Sequence, residues 1–106
     1  MKVLLIDDDP VVQFHLKLFC EKLNWILHCA SDYDSGLELA RKHQPEVALV
    51  DLNLGKRRIT NADLDKLKDR TRKVLVISAD FLEDSQFTFL QKPFTIDEFR
   101  QAVQID

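Results

Sequence analysis

Polar residues able to bind or repel oxygen anions stand at the ends of four apolar runs in this chain. Asp7-Asp8-Asp9 follows the run 3–6, Asp51 follows 47–50, Ser78 follows 74–77, and Gln91-Lys92-Pro93 follows 87–90. Like-charge repulsion opposes bringing several carboxylates together, and an oxygen-seeking divalent cation is the usual remedy. Mg2+ suits such a site, because it takes few protein ligands and retains several waters. A lysine and a hydroxyl beside it could bind the oxygens of a phosphoryl group, completing an electrostatic clamp for phosphoryl transfer. A Lys-Pro pair can simply end a strand, but it also permits a cis peptide that aims the lysine back over the sheet.

These groups meet only if the runs are strands of one sheet. Five short runs, 3–6, 25–30, 47–50, 74–77 and 87–90, read as strands, and three are uninterrupted apolar stretches of the kind found in a parallel sheet buried on both faces. Between them lie helical spacings. Pro10 fits a first helical position, followed by Val12, Leu16, Phe19 and Leu23 at steps of 4, 3 and 4. Asp34 is the expected cap of a second helix carrying Leu37, Leu39 and Ala40, stopped before Pro45. Thr60 with Asp63, and Thr95 with Glu98, form two capping-box patterns ahead of Leu64 and Leu67 and of Phe99 and Val103. The expected fold is α/β, a doubly wound five-stranded parallel sheet, and such sheets bind ligands outside the carboxyl ends of their strands.

Composition excludes several alternatives. The chain has 106 residues, 45% hydrophobic and 31% charged, enough for one core and too few for two. Two Gly and three Pro are too few for a many-turned β-sandwich. Fifteen basic against 18 acidic residues leave a net charge of −3, so no direct nucleic-acid partner is expected. No apolar run approaches the ~20 residues of a membrane span, and Asp7 arrives too early for a signal peptide, so a cytoplasmic protein with no membrane contact is expected. Cys20 and Cys29 lack ligand spacing and are expected to be free, mostly buried thiols. His15, His28 and His43 share no motif, and each is expected to be structural or exposed.

In Leu4-Leu5-Ile6-Asp7-Asp8-Asp9, Ala48-Leu49-Val50-Asp51-Leu52-Asn53, Val76-Ile77-Ser78-Ala79 and Gln91-Lys92-Pro93-Phe94, taken in order, the chain resembles the receiver domain of two-component response regulators. The resemblance implies a flavodoxin-like sheet of order 2-1-3-4-5. It also implies that Asp51 accepts a phosphoryl group from a phosphohistidine on a sensor histidine kinase or histidine phosphotransfer protein. By the same resemblance Asp8, Asp51 and the Asn53 main-chain carbonyl would hold Mg2+ directly, and Asp7 through water. Ser78 and Lys92 would bind phosphoryl oxygens, Phe89 would be the aromatic residue whose rotamer tracks the switch, and Asn53 and Asp80 would flank the water that hydrolyses the acyl phosphate. The output would pass to an unknown partner protein or a second copy.

Two other functions are compatible with the same residues. Asp7-Asp8-Asp9-Pro10-Val11 is similar to the nucleophile motif of haloacid-dehalogenase-type phosphatases, with Asp7 attacking a phosphate ester. Against it, no acidic metal motif follows Lys92 and Asp51 is left without a role. A receiver-like module that binds partners without phosphorylation is the other.

The chain also departs from the receiver pattern. Leu54-Gly55-Lys56-Arg57-Arg58-Ile59 makes the stretch after Asp51 a basic loop, read as a solvated charge run. Only thirteen residues separate Ser78 from Lys92. The crossover 79–86 would rise about 12 Å as a helix, against about 17 Å of strand to be crossed. The fourth helix is therefore expected to be shortened or absent, with Phe81, Leu82 and Phe87 filling or exposing the gap. No effector segment follows Asp106, which suits a stand-alone module or an excised domain.

Overall fold

The computed structural model describes residues 1–55, 57–79 and 87–104. In chain order its elements are β1 (Lys2–Ile6), α1 (Pro10–Leu23), β2 (Ile26–Ala30), α2 (Tyr33–His43), β3 (Val47–Asp51), β4 (Asn53–Leu54), β5 (Arg57–Arg58), α3 (Asn61–Lys68), β6 (Lys73–Ser78), β7 (Thr88–Gln91) and α4 (Ile96–Ala102). Five strands form one parallel sheet in the order β2-β1-β3-β6-β7. The expected 2-1-3-4-5 order stands, with β6 and β7 as its fourth and fifth strands.

Alternation along the strands sorts the core into two layers. Leu4, Ile6, Ala48, Val50, Val74 and Val76 face α2 and α3, and meet Tyr33, Ala40, Leu64 and Leu67 there. Val3, Leu5, Val47, Leu49, Leu75 and Ile77 face α1 and α4, and meet Leu16, Cys20, Phe99 and Val103. Because β1, β3 and β6 are buried on both sides, their sequences are apolar without alternation. Trp25 precedes β2 by one residue rather than opening it, and its ring meets Phe99 edge-on at 5.7 Å.

The helix starts follow capping chemistry. Asp9 caps α1 by accepting the Val11 N–H, with Pro10 next in line. Both capping boxes form as expected, Thr60 with Asp63 and Thr95 with Glu98. At α2 the cap is Asp32 and not Asp34. Asp32 is extended and accepts the N–H and hydroxyl of Ser35, while Asp34 lies in the first turn. Burial of the Tyr33 ring fixes the start of the helix one step after Asp32.

Other expectations are met in part. The stretch after Leu52 is a small hairpin rather than a loop, with β4 and β5 paired antiparallel, although Arg57 and Arg58 are exposed as a solvated charge run would be. Lys56 lies outside the described residues. Cys20 is buried, and burial pushes its thiol up to about 11, but Cys29 is exposed. His28 and His43 stack face to face, 3.8 Å between ring centroids. Asp80, Phe81 and Leu82, and with them the course of the crossover and any helix in it, lie outside the described residues. Phe87 is buried in the α2/α3 layer, 6.0 Å from the Lys68 ammonium, and so fills space rather than exposing it. Among the described residues no helix is long and apolar enough to cross a membrane.

Gly36 sets the distance between α2 and β1. A Cβ there would stand 2.3 Å from Cδ1 and 2.5 Å from Cγ1 of Ile6, a fully buried side chain. Gly36→Ala gains helix propensity of about 0.8 kcal/mol but overpacks the layer by more. A net loss of about 1–2 kcal/mol in chemical denaturation is expected. Adding Ile6→Ala should cost less than the sum of the two single changes, since the second truncation removes the obstacle to the first.

Candidate functional site

The register of the sheet brings the polar strand ends together. Ile6 lies opposite Val50, so Asp7 and Asp51 leave β1 and β3 at one level. Asp51 lies opposite Ile77 and Ser78 opposite Gln91, which puts Ser78 one residue and Lys92 two residues further out. The Lys92–Pro93 peptide bond is cis. The Lys92 N–H donates to the Ser78 carbonyl at 2.8 Å, tying the ends of β6 and β7.

The acidic triplet divides its labour. Asp7 is fully buried. One of its oxygens accepts the Asp9 N–H at 2.9 Å, and the other accepts the Lys92 ammonium at 3.0 Å. Asp8 is exposed, yet a carboxylate oxygen from each of Asp7, Asp8 and Asp51 can be chosen so that all lie within 4.8 Å of one another. Asp9 belongs to the helix cap. Asp51, 6% exposed, accepts the Asn53 N–H on Oδ1 at 3.1 Å and the Lys92 ammonium on Oδ2 at 3.1 Å.

Charge balance follows from these distances. Burial raises the Asp7 carboxyl above its ordinary range and the neighbouring Asp51 adds to this, while the Asp9 N–H and Lys92 oppose it. For Lys92, burial pulls downward, but its bonds and charge interactions with Asp7 and Asp51 prevail and hold it above its ordinary value. One ammonium thus stands between two largely buried carboxylates, with a third beside them. An all-oxygen set of three carboxylates with an excess negative charge fits a hard divalent cation.

The hairpin completes the rim. Ile59 donates to the Leu52 carbonyl at 2.8 Å, which makes Leu52 and Ile59 a hydrogen-bonded pair and Asn53 and Arg58 the non-bonded pair that follows. The N–H and carbonyl of Asn53 therefore face away from β5. Its N–H goes to Asp51, and its carbonyl lies on the same strand edge.

Of the other residues singled out by sequence, Ser78 is buried at the end of β6, and Phe89 is half-buried against the α2/α3 layer. Asp80 lies outside the described residues. Sequence reasoning missed Gln13, whose amide donates to the Asp7 carbonyl at 2.7 Å and to Ser31 at 3.2 Å. It also missed Gly55, whose φ is +60° and whose added Cβ would stand 3.9 Å from Asp8 Oδ2. No periodicity marks Gln13, whereas a rare glycine four residues after Asp51 was a usable signal.

Comparison with known proteins agrees with this geometry. Residues 3–104 match the sequence profile of the response regulator receiver domain. The probable C4-dicarboxylate response regulator DctR of Bacillus subtilis (strain 168) is 29% identical over 119 aligned residues, which cover 97% of this chain and 50% of that protein. The chain thus spans about half the length of this relative. Sporulation initiation phosphotransferase F of the same organism is 27% identical over 112 residues, covering 97% of this chain and 90% of that one. The receiver domain of sensor histidine kinase PA1611 from Pseudomonas aeruginosa PAO1, solved with a magnesium ion coordinated in its active site cleft, superposes with a TM-score of 0.81 at 18% identity, covering 97% and 93% of the two chains.

The raised carboxyl of Asp7 has a consequence for stability. In the unfolded chain Asp7 ionises near its ordinary value of about 4. A raised folded-state value means its contribution is fully present below that pH and is lost as pH rises through the folded-state value. Asp7→Asn is therefore expected to raise stability at neutral pH, where the wild-type carboxyl must ionise in a buried place. That advantage should shrink toward zero as the pH falls to about 4, as read by urea denaturation in chelated buffer.

Proposed function

Since the chain belongs to the response regulator receiver domain family, we propose that Asp51 is its phosphoacceptor, taking a phosphoryl group from a phosphohistidine on a sensor histidine kinase or histidine phosphotransfer protein in a Mg2+-dependent reaction. The observation that carries this reading is the convergence of Asp7, Asp8 and Asp51 with the Lys92 ammonium at the carboxyl edge of the sheet.

Asp8, Asp51 and the Asn53 carbonyl would hold the cation directly, and Asp7 would hold it through water. The ion supplies the charge neutralisation without which an anionic phosphoryl group cannot approach three carboxylates. One Asp51 oxygen then attacks phosphorus as the P–N bond to the donor imidazole breaks. The imidazole nitrogen leaves with the bonding pair, and an acyl phosphate remains on Asp51. Lys92 binds a phosphoryl oxygen, and the Ser78 hydroxyl binds another as it moves toward the group. Phe89 is the side chain whose rotamer would report that movement. The side chains of Asn53 and Asp80 would orient the water that later hydrolyses the acyl phosphate.

The donor protein would approach along α1. Val11 and Phe14, each 59% exposed, and Leu18, 39% exposed, form an apolar stripe at steps of 3 and 4 on its outer face. Beside the stripe a cavity of about 280 Å3, lined by Val11, Val12, His15, Pro93 and Phe94, reaches Lys92. The domain in this reading is a signalling module and not an enzyme acting on a separate substrate. Its unpaired thiols suit the reducing cytoplasm. A phosphatase with Asp7 as nucleophile gains nothing from the arrangement, because Asp7 is the least accessible of the three carboxylates.

Incubation with Mg2+ and a small-molecule phosphodonor is expected to give an acid-labile phosphate on the wild type and none on Asp51→Asn. Labelling of that variant at the wild-type level, with Asp7→Asn inert, would overturn the reading. Lys92→Ala should slow labelling about tenfold or more. Phe14→Ala should slow transfer from a phosphohistidine protein while leaving labelling by the small donor unchanged.

A further inference from the structure

The hairpin β4–β5 leaves the site directly after Asp51 and Leu52, and what fastens its far strand bears on the site. Arg57 does the fastening. Its guanidinium lies 3.0 Å from Asp63 Oδ1 in the first turn of α3 and 3.7 Å from Asp34 Oδ1 in the first turn of α2, and its carbon stands 4.6 Å from the centroid of the Tyr33 ring. Tyr33 in turn donates its hydroxyl to the Asp63 carbonyl at 2.9 Å. Asp63 is itself fixed, since its other oxygen accepts the Thr60 N–H at 3.0 Å within the capping box.

These contacts differ in worth. Asp34 is largely exposed, and a 3.7 Å pair there contributes little. Asp63 has a side chain only 11% exposed; burial tends to raise its carboxyl, but the Thr60 bonds and Arg57 prevail and hold it below the ordinary range. Stacking on Tyr33 uses the planar face of the guanidinium, a role that lysine cannot copy. Arg58, the next residue, is exposed and has no such partner among the described residues.

We propose that Arg57 is a positioning residue for the divalent cation: by clamping the hairpin onto α2 and α3 it holds the Asn53 carbonyl toward Asp7, Asp8 and Asp51. The inference rests on the Mg2+-dependent reading above. It goes beyond that reading in making the strength of the metal site depend on a residue that touches neither the metal nor the phosphoryl group. The chain of contacts is short. Arg57 lies opposite Leu54, whose side chain is buried in the α2/α3 layer, and Asn53 precedes it with its N–H on Asp51. Without Arg57 the hairpin keeps its two ladder pairs, the Ile59 to Leu52 bond, the Asn53 N–H on Asp51 and the buried Leu54, but its far strand loses the tie to Asp63 and Tyr33 that fixes its angle to α2 and α3.

Electrostatics alone predicts the opposite sign, which makes the test decisive. Removing a positive charge near a cation site should tighten Mg2+ binding, for Arg57 and Arg58 alike. Positioning predicts that Arg57→Ala weakens it about fivefold to tenfold while Arg58→Ala does not weaken it. Calorimetric titration of wild type, Arg57→Ala, Arg57→Lys, Arg58→Ala and Asp63→Asn with MgCl2 distinguishes the two. The expected order of weakening is Arg57→Ala most, then Arg57→Lys and Asp63→Asn, the last keeping an oxygen for the Thr60 cap. Amide hydrogen exchange in chelated buffer should accelerate at Asn53 and Ile59 in Arg57→Ala, with strands β1 and β3 still protected, which certifies that the variant is folded. Mg2+ binding to Arg57→Ala as tight as or tighter than to wild type would overturn the proposal and leave the phosphoacceptor reading intact. Absence of Mg2+ binding to the wild type would overturn both.

Discussion

Three carboxylates share the carboxyl edge of this sheet with one ammonium, and the rest of the structure has to bear that imbalance. Two like charges about 4 Å apart repel by about 4 kcal/mol at the effective dielectric near a protein surface. Asp7 cannot turn away from Asp51, because it is fully buried and its oxygens are tied to the Asp9 N–H and to Lys92. Lys92 offsets part of the repulsion by bridging both carboxylates at 3.0 and 3.1 Å. What remains is the affinity of the site for positive charge. A cluster of this kind costs stability, and a domain whose function needs the cluster must hold it with a rigid frame.

The frame is the parallel register. The site residues are 85 positions apart at the extreme, from Asp7 to Lys92, yet they lie within about two residues of a common level because Ile6 faces Val50, Asp51 faces Ile77 and Ser78 faces Gln91. A slip of one residue in any of these strands would reverse its core-facing side chains between the two layers, so the hydrophobic core fixes the site. The apolar runs of β1, β3 and β6 and the positions of the carboxylates are thus one constraint seen twice.

That unity explains how much was legible in the sequence. Strands buried on both faces announce themselves as apolar runs, and the residue after each run lands at the ligand edge, so Asp7, Asp8, Asp51, Ser78 and Lys92 were readable as one site. The two capping boxes were readable because the pattern is local. The hairpin was not, since strands of two residues carry no periodicity and its register depends on Ile59 returning to Leu52 and on Leu54 and Ile59 entering the core. The place of Arg57 was hidden for the same reason: Asp63 and Tyr33 meet it only through tertiary packing. Between Asp32 and Asp34 the residue types are identical, and the choice of cap was made by where the Tyr33 ring had to be buried. His28 and His43 lie on β2 and at the end of α2, and nothing in their sequence surroundings signals that they stack.

The same frame limits where a signal can leave the site. Two of the strand ends beside Asp51 belong to β1 and β3, each with a neighbour on both sides and a helix on both faces, so displacement there disturbs most of the core. The fourth strand end belongs to β7, which among the described residues lies at the edge of the sheet and pairs only with β6. Lys92 leaves this strand, its N–H is bonded to the Ser78 carbonyl, and its ammonium is shared between Asp7 and Asp51. A charge placed on Asp51 redraws the balance at that ammonium first. The strand carrying it is the least buried of the four that bear the site, with Thr88 and Gln91 exposed and Phe89 half-buried. Elements that move in switching come from the less stable parts of a fold, and among the strands that bear the site that part is the end of β7, joined through Ser78 to the end of β6.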